Sequence, residues 1–260
     1  MIKIIDPILI RFFSLEIRWY GFLIILALLI SLFILNQLLK REESLDFEFF
    51  LDFIIIAFPL GILGARIYYV VFNFQYYINR PAKILAVTEG GLAIHGGLLV
   101  GIIVLCLLAK RRKKNILLAL DYLAPLMAFS QSVGRWGNFV NQEAYGQIVS
   151  ESYYSLFPDF IKQQMFIRGA YREAAFFYES AADFMLFIFL FFYLGSDLKK
   201  DGEVFSLYLI FYSIFRFFIE EQRTDSLFIV DFKVAKLISL ILIFIGIYLL
   251  YYIRNRQNSV

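Results

Sequence analysis

The chain of 260 residues has one cysteine, one histidine, two tryptophans and five prolines. A single cysteine cannot close an internal disulfide, and Cys106, flanked by Leu105 and Leu107, reads as a small buried hydrophobe. One histidine beside one cysteine also leaves no nitrogen and sulfur ligand set for zinc. A carboxylate-only metal site stays open, but no spacing points to one, and no metal or cofactor is expected. Charge is scarce too, at 18% of residues against 61% hydrophobic, with a formal net charge of only +3. No internal repeat, low-complexity tract or linker interrupts the chain, so a single domain over 1–260 is expected. The first apolar run lacks a compact basic segment before it and a small-residue cleavage site after it, so it reads as a retained span.

What the chain has in excess is aromatic and aliphatic: 31 Phe and 17 Tyr, with a mean hydropathy of +0.72. That composition belongs to multi-span membrane proteins. A bilayer crossing takes about 20 apolar residues, and such runs fall near 19 to 39, 49 to 72, 92 to 109, 116 to 133, 176 to 195, 204 to 221 and 234 to 253. The expected fold is all-α, a polytopic bundle of about seven transmembrane helices. Residues 1 to 18 are too short to span and are expected in the outer interface. The longest loop, about 134 to 175, is aromatic-rich and suits a small extracytoplasmic cap.

Basic residues bunch after the first, third and fifth spans and at the C-terminus: Lys40 and Arg41, Lys110 to Lys114, Lys199 and Lys200, Arg254 and Arg256. The density of positive charge places those loops in the cytoplasm and the N-terminus outside. The run Lys110 to Lys114 reads as a topology anchor rather than an anionic-lipid or nucleic-acid patch, and no nucleic-acid partner is expected.

Polar groups near lipid are costly unless they have a partner or a task, so interruptions of the apolar pattern are the candidate functional positions. The first is Gly134 to Gly146, with Arg135, Asn138, Asn141, Gln142 and Glu143; a continued helix puts Arg135, Asn138 and Gln142 on one face. The second is Glu89 to Gly97, where glycines surround His95, either a structural histidine or a base. The third is Tyr212, Arg216, Glu220 and Arg223, stacked along one helix face; Arg216 and Glu220 four apart could be a purely structural pair. The fourth is Gly61 to Tyr69, where small residues permit close helix contact and Arg66 reads best as structural. Glu220 alone cannot neutralise Arg66, Arg135 and Arg216, so a bound anion is the expected partner. Guanidinium forks suit a phospholipid phosphate, and the residues alone point to a protein that binds an anionic lipid head group, with membrane lipids as its surroundings.

Together these motifs resemble the prolipoprotein diacylglyceryl transferase family over nearly the whole chain. The matching pieces are Arg18-Trp19-Tyr20-Gly21, Gly64-Ala65-Arg66, Glu89 to Gly97, the highly specific Gly134 to Gly146, Tyr178-Glu179-Ser180 and Tyr212 to Arg223. One departure is Arg172-Glu173-Ala174, where many members have Arg-His-Pro. The resemblance implies transfer of the diacylglyceryl unit of phosphatidylglycerol to the lipobox cysteine of a prolipoprotein signal peptide in the bacterial inner membrane. The products are a thioether-linked precursor and a glycerol phosphate. The reacting cysteine belongs to the substrate, so the enzyme needs none of its own.

The resemblance also carries residue roles. His95 is the base for the thiol, since imidazole titrates near neutrality and the thiolate is the nucleophile. Arg135 and Arg216 form the clamp for the departing phosphate. Tyr20, Arg66, Asn138, Asn141, Glu143, Gly146, Tyr212, Glu220 and Arg223 complete the substrate-binding set. Among these, Asn138, Asn141 and Glu143 orient Arg135 and the glycerol hydroxyls, Glu220 holds Arg216 or Arg223, and Tyr20 reaches the phosphate or ester. The competing class is a lipid transporter or flippase, which needs polar groups on both sides and alternating access; the polar residues here cluster toward one face, without an inverted repeat. A lipid-binding structural protein would form no product.

Overall fold

The computed structural model describes residues 4–13, 15–86, 90–197, 199–224, 228–229 and 231–256. Glu89, in the expected glycine-rich motif around His95, lies outside them. The chain begins with an antiparallel hairpin, β1 (Ile8–Phe12) and β2 (Leu15–Arg18), which leads directly into α1 (Trp19–Leu39). Then come α2 (Phe47–Phe72), the short α3 (Phe74–Ile78), a 3-10 turn at Pro81–Leu85, α4 (Ile94–Arg112) and α5 (Ile116–Asn141). A 3-10 turn at Glu151–Leu156, α6 (Asp159–Gln164) and the two-residue strands β3 (Phe166–Ile167) and β4 (Ala170–Tyr171) precede α7 (Ala175–Leu194). After α8 (Glu203–Ile219), the strands β5 (Phe228–Ile229) and β6 (Phe232–Lys233) lead into α9 (Val234–Arg256).

Six helices, α1, α2, α4, α5, α7 and α9, are long and apolar enough to cross a membrane. The expected seventh, α8, is not among them. At 17 residues it falls just short in length, while it buries Glu203, Ser206, Tyr208 and Ser213 against protein. Cys106, expected to be buried, is exposed. It shares the outward side of α4 with Ile103 and Leu107, where a small apolar thiol meets lipid tails as readily as a core.

The chain divides into two compact units, residues 36–119 and residues 1–35 with 120–260. In the first, α2 packs on α4 through glycines. A Cβ at Gly96 would collide with the Gly64 carbonyl and with Tyr68, and a Cβ at Gly64 would collide with Val100 and the Gly96 carbonyl. Backbones that approach this closely replace the hydrophobic drive that lipid cannot supply. The contact also lets the Ala93 N–H reach the Ala65 carbonyl at 3.0 Å, fixing the start of α4. We expect Gly96→Ala to destabilise the folded protein by about 1–3 kcal/mol, read as a lower thermal unfolding midpoint in detergent; an unchanged midpoint would mean the helices part without cost.

At the opposite end of α2, Asp46 accepts from the Phe49 N–H at 2.7 Å and caps the helix. Lys114 lies 2.6 Å from Asp46, and this contact holds the carboxyl below its ordinary range. Arg112 pairs with Asp52. Part of the basic run is therefore tied to its own unit.

In the second unit α7 packs on α8 and α8 on α9. The Asp121 carboxylate of α5 is fully buried and accepts from the N–H groups of Gly202 (2.6 Å) and Phe205 (2.8 Å), which satisfies the first turn of α8. Residues 142 to 174 pack around a hydrophobic cluster. It joins Tyr154, Ile161, Met165 and Ile167 to Phe139, Val140 and Phe176 on the ends of α5 and α7, with the Phe139 and Phe176 rings stacked at 4.4 Å. Gln164, 1% exposed, ties these parts together: Oε1 accepts from the Ile5 N–H at 2.8 Å and Nε2 donates to the Val140 carbonyl at 2.9 Å.

Candidate functional site

The glycine-rich segment 134–146 does not begin as a loop. Its first eight residues are the last turns of α5, and the helix ends with Gln142 in the left-handed region at φ 54. Two bonds close the end: Gln142 N–H to Phe139 O at 3.2 Å and Glu143 N–H to Asn138 O at 2.9 Å, the pattern usually made with glycine. Ala144 repeats the positive φ, also at 54. Two non-glycine residues held this way within three positions are a strained backbone. Arg135 and Asn138 thus stay on the helix, while Gln142 has left it and donates to the Gln164 carbonyl at 2.6 Å.

The orientation of Arg135 is set by how α7 docks on α5. Ser132 Oγ donates to the Ser180 carbonyl at 2.9 Å, Ser180 Oγ donates to the Ser132 carbonyl at 3.0 Å, and Trp136 Nε1 donates to Ser180 Oγ at 3.1 Å. This lock places Glu179, the neighbour of Ser180, against Arg135. On α8, Tyr208 donates to Gln131 Oε1 of α5 at 3.1 Å and stacks on Tyr212 at 5.5 Å, which brings Tyr212, Arg216 and Glu220 to the same place.

Three arginines converge on one carboxylate there. Arg135 Nε lies 2.7 Å from Glu179 Oε2, Arg216 Nη1 donates to Glu179 Oε1 at 3.2 Å, and Arg223 Nη1 lies 3.6 Å from that same oxygen. Arg216 also contacts Glu220 at 2.6 Å through Nη2, and Asp183 Oδ2 lies 3.9 Å from Arg135 Nε. Glu179 and Asp183 are 4% exposed and Glu220 is 2% exposed. The contact of Arg135 with Glu179 is short but off the N–H direction, and neither atom has a directed hydrogen bond; the buried Asp183 Oδ2 has none either, among the described residues. A space of about 10 Å³, open on one side, lies between Arg135, Glu179, Asp183, Tyr212 and Arg216, enough for a single water at most.

The cluster corrects the charge count expected from sequence. Arg135, Arg216 and Arg223 meet Glu179, Asp183 and Glu220 here, so Glu220 is not the one carboxylate beside the arginines, while Arg66 lies outside the cluster. Glu179 and Asp183 are the residues that sequence reasoning missed as site residues. Their signal was present, since two acids four apart in an apolar 20-residue helix are intramembrane ionisable groups that call for partners.

The remaining expected positions divide. The Tyr20 ring lies over Gly137, where a Cβ would collide with it, so Tyr20 is beside the turn that carries Arg135. Asn141 Oδ1 is buried without a donor among the described residues, while Glu143 is exposed. Gly146 is buried beneath the side chain of Glu173, one of the residues that depart from the expected Arg-His-Pro, and burial pushes the Glu173 carboxyl up.

Arg66 and His95 belong to the other unit. Arg66, 5% exposed, donates to the carbonyls of Lys83 (2.5 Å), Ile84 (2.8 Å), Gly90 (2.7 Å) and Gly91 (2.9 Å). Most of its donors are thus spent on shaping a loop beside a cavity of about 300 Å³ lined by Tyr69, Asn73, Tyr76 and Tyr77. His95 is exposed in the first turn of α4, its ring 6.1 Å from that of Tyr68.

Comparison with known proteins agrees with the motifs. A phosphatidylglycerol–prolipoprotein diacylglyceryl transferase of Streptococcus agalactiae serotype Ia is 42% identical over 255 residues, covering 98% of both chains. Proteins of the same name from Clostridium novyi and Streptococcus mutans are 44% and 42% identical, covering 94% and 98% of this chain and 95% and 98% of their own. The pattern of the prolipoprotein diacylglyceryl transferase family matches residues 7–252, and the chain belongs to that family.

Proposed function

We propose that this protein transfers the diacylglyceryl group of phosphatidylglycerol to the lipobox cysteine of prolipoproteins, forming a thioether and releasing glycerol phosphate. The convergence of Arg135, Arg216 and Arg223 between α5, α7 and α8 carries the reading. The thiolate attacks the glycerol carbon that bears the phosphate, that carbon–oxygen bond breaks, and its electron pair leaves with the phosphate. A diester with one negative charge becomes a monoester that gains a second, and guanidinium groups fixed in place bind the later state more strongly.

Arg135 and Arg216 are the clamp. Glu220 and Arg223 hold Arg216 through the shared carboxylates, and Tyr212 forms a wall of the same space. Tyr20, Asn138, Asn141, Glu143 and Gly146 contact the lipid head group or steady Arg135, and Arg66 keeps the loop 83–91 in shape. His95 takes the thiol proton, a role given to it on chemical grounds. His95→Gln is expected to lose most transfer at neutral pH; wild-type rates there would end that assignment.

Both units act as one integral membrane domain of the bacterial inner membrane, with the N-terminus and the cap outside and the C-terminus cytoplasmic. The positive-inside pattern supports this orientation. So does the contact of Arg254 near the end of α9 with Glu203 at the start of α8, at 2.8 Å, which joins two segments expected on the cytoplasmic side. The test is incubation of the purified protein with phosphatidylglycerol and a lipobox peptide. Mass spectrometry should find the peptide heavier by one diacylglyceryl group; an unmodified peptide alongside bound lipid would point to a carrier instead.

A further inference from the structure

The last helical residue of α8 is Ile219, and the turn that follows carries Glu220 and Arg223, two residues of the arginine cluster. A helix end leaves carbonyls without intrahelical donors. Here the donors come from Lys233, the last residue of β6, directly before α9. Its Nζ donates to the Glu220 carbonyl at 2.7 Å, to that of Glu221 at 3.0 Å and to that of Arg223 at 3.4 Å. Three carbonyls thus meet the three protons of one ammonium, and a cation at this position also complements the negative end of the helix. Resting on the transferase reading above, we infer that Lys233 is a positioning residue for the arginine clamp: by gathering these carbonyls it keeps Glu220 against Arg216 and Arg223 against Glu179.

Both side-chain contacts depend on the path of the backbone from 220 to 223. Glu220 Oε2 is 2.6 Å from Arg216 Nη2, and Arg223 Nη1 is 3.6 Å from Glu179 Oε1. Within the turn, the Arg223 N–H reaches the Glu220 carbonyl at 3.3 Å, and Lys233 donates to that same oxygen at the shorter distance. The ammonium therefore sits on the bond that relates the two site residues. A second lysine of α9 serves as a contrast. Lys236 pairs with the exposed Glu221 carboxylate and lies 4.7 Å from the centre of the Phe217 ring. It ties α9 to α8 through two residues outside the cluster, and an exposed pair of this kind contributes little.

The experiment uses the full-length purified protein, phosphatidylglycerol and a lipobox peptide. Lys233→Met should lower kcat by about 10- to 100-fold, the scale of a small misplacement near the reacting atoms. KM for the lipid should change less, because the clamp favours the departing phosphate over the bound diester. Lys233→Arg, which keeps donors for the same carbonyls, should recover most of the activity, and Lys236→Met should retain all of it. The deciding measurement is a double-mutant cycle with Arg223→Ala. If Lys233 acts through the turn, Lys233→Met costs far less in the Arg223→Ala background than it does alone. Equal losses in the two backgrounds, unchanged kinetics in Lys233→Met, or a matching loss in Lys236→Met each overturn the proposal. Should the Arg223 variants fail to fold, Lys233→Arg decides: recovery bears the proposal out, and a loss as deep as that of methionine overturns it. No product from the unsubstituted protein would instead count against the transferase reading beneath it.

Discussion

Arg135→Lys and Arg216→Lys each lower diacylglyceryl transfer by about 100-fold or more, the scale seen when one donor to a developing oxyanion is removed. Arg216 uses two different nitrogens at once, Nη1 on Glu179 at 3.2 Å and Nη2 on Glu220 at 2.6 Å. A lysine keeps the charge but offers one compact ammonium, which cannot reach both partners or present a planar fork to phosphate. Arg135 meets Glu179 and Asp183 through Nε, an atom lysine does not have. The measurement is the lipobox-peptide assay, run beside thermal unfolding so that a folding defect is separated from a kinetic one. If both lysine variants remain folded and transfer at wild-type rates, the clamp is wrong.

Much of this fold is written in its hydropathy. The run 19 to 39 coincides with α1, and the runs ending near 72 and 195 stop within a residue of α2 and α7, because length and apolarity decide a span before any tertiary contact does. The run 204 to 221 falls on α8, 17 residues long, which carries buried polar groups among its apolar ones. The apolar run 116 to 133 ends before α5 does, since the helix continues through Gly134 and Gly137, with the Tyr20 ring packed over Gly137. Packing of that kind has no local signature.

The site shows the same division. Arg216 and Glu220 are four apart on one helix and were legible as a pair. Arg135 and Glu179 are 44 positions apart, and only the Ser132–Ser180 lock brings them together. Sequence spacing therefore exposes Glu220 as a partner of Arg216 but not Glu179 as a partner of Arg135. Arg66 was read as structural, but the partners that absorb it are backbone carbonyls, which every residue has and none advertises.

The cluster makes Glu179 the largest single liability for stability. Glu179→Gln keeps the shape of the side chain and removes one negative charge from among three guanidinium groups, so Arg135, Arg216 and Arg223 lose the carboxylate they share. Breaking a buried ion network from one side costs about 3–5 kcal/mol, since the charges left behind stay desolvated. We expect a fall in the thermal unfolding midpoint, accompanied by loss of most transfer activity. A simple structural defect would leave the lipid's stabilising effect as it was, but here the phosphate supplies the missing charge. Dihexanoyl phosphatidylglycerol should therefore raise the midpoint of Glu179→Gln by more than it raises that of the wild type, and the zwitterionic choline analogue should raise neither by much. An equal shift in both proteins would mean that lipid and Glu179 do not share the same arginines. The clamp would then have to lie elsewhere in the protein.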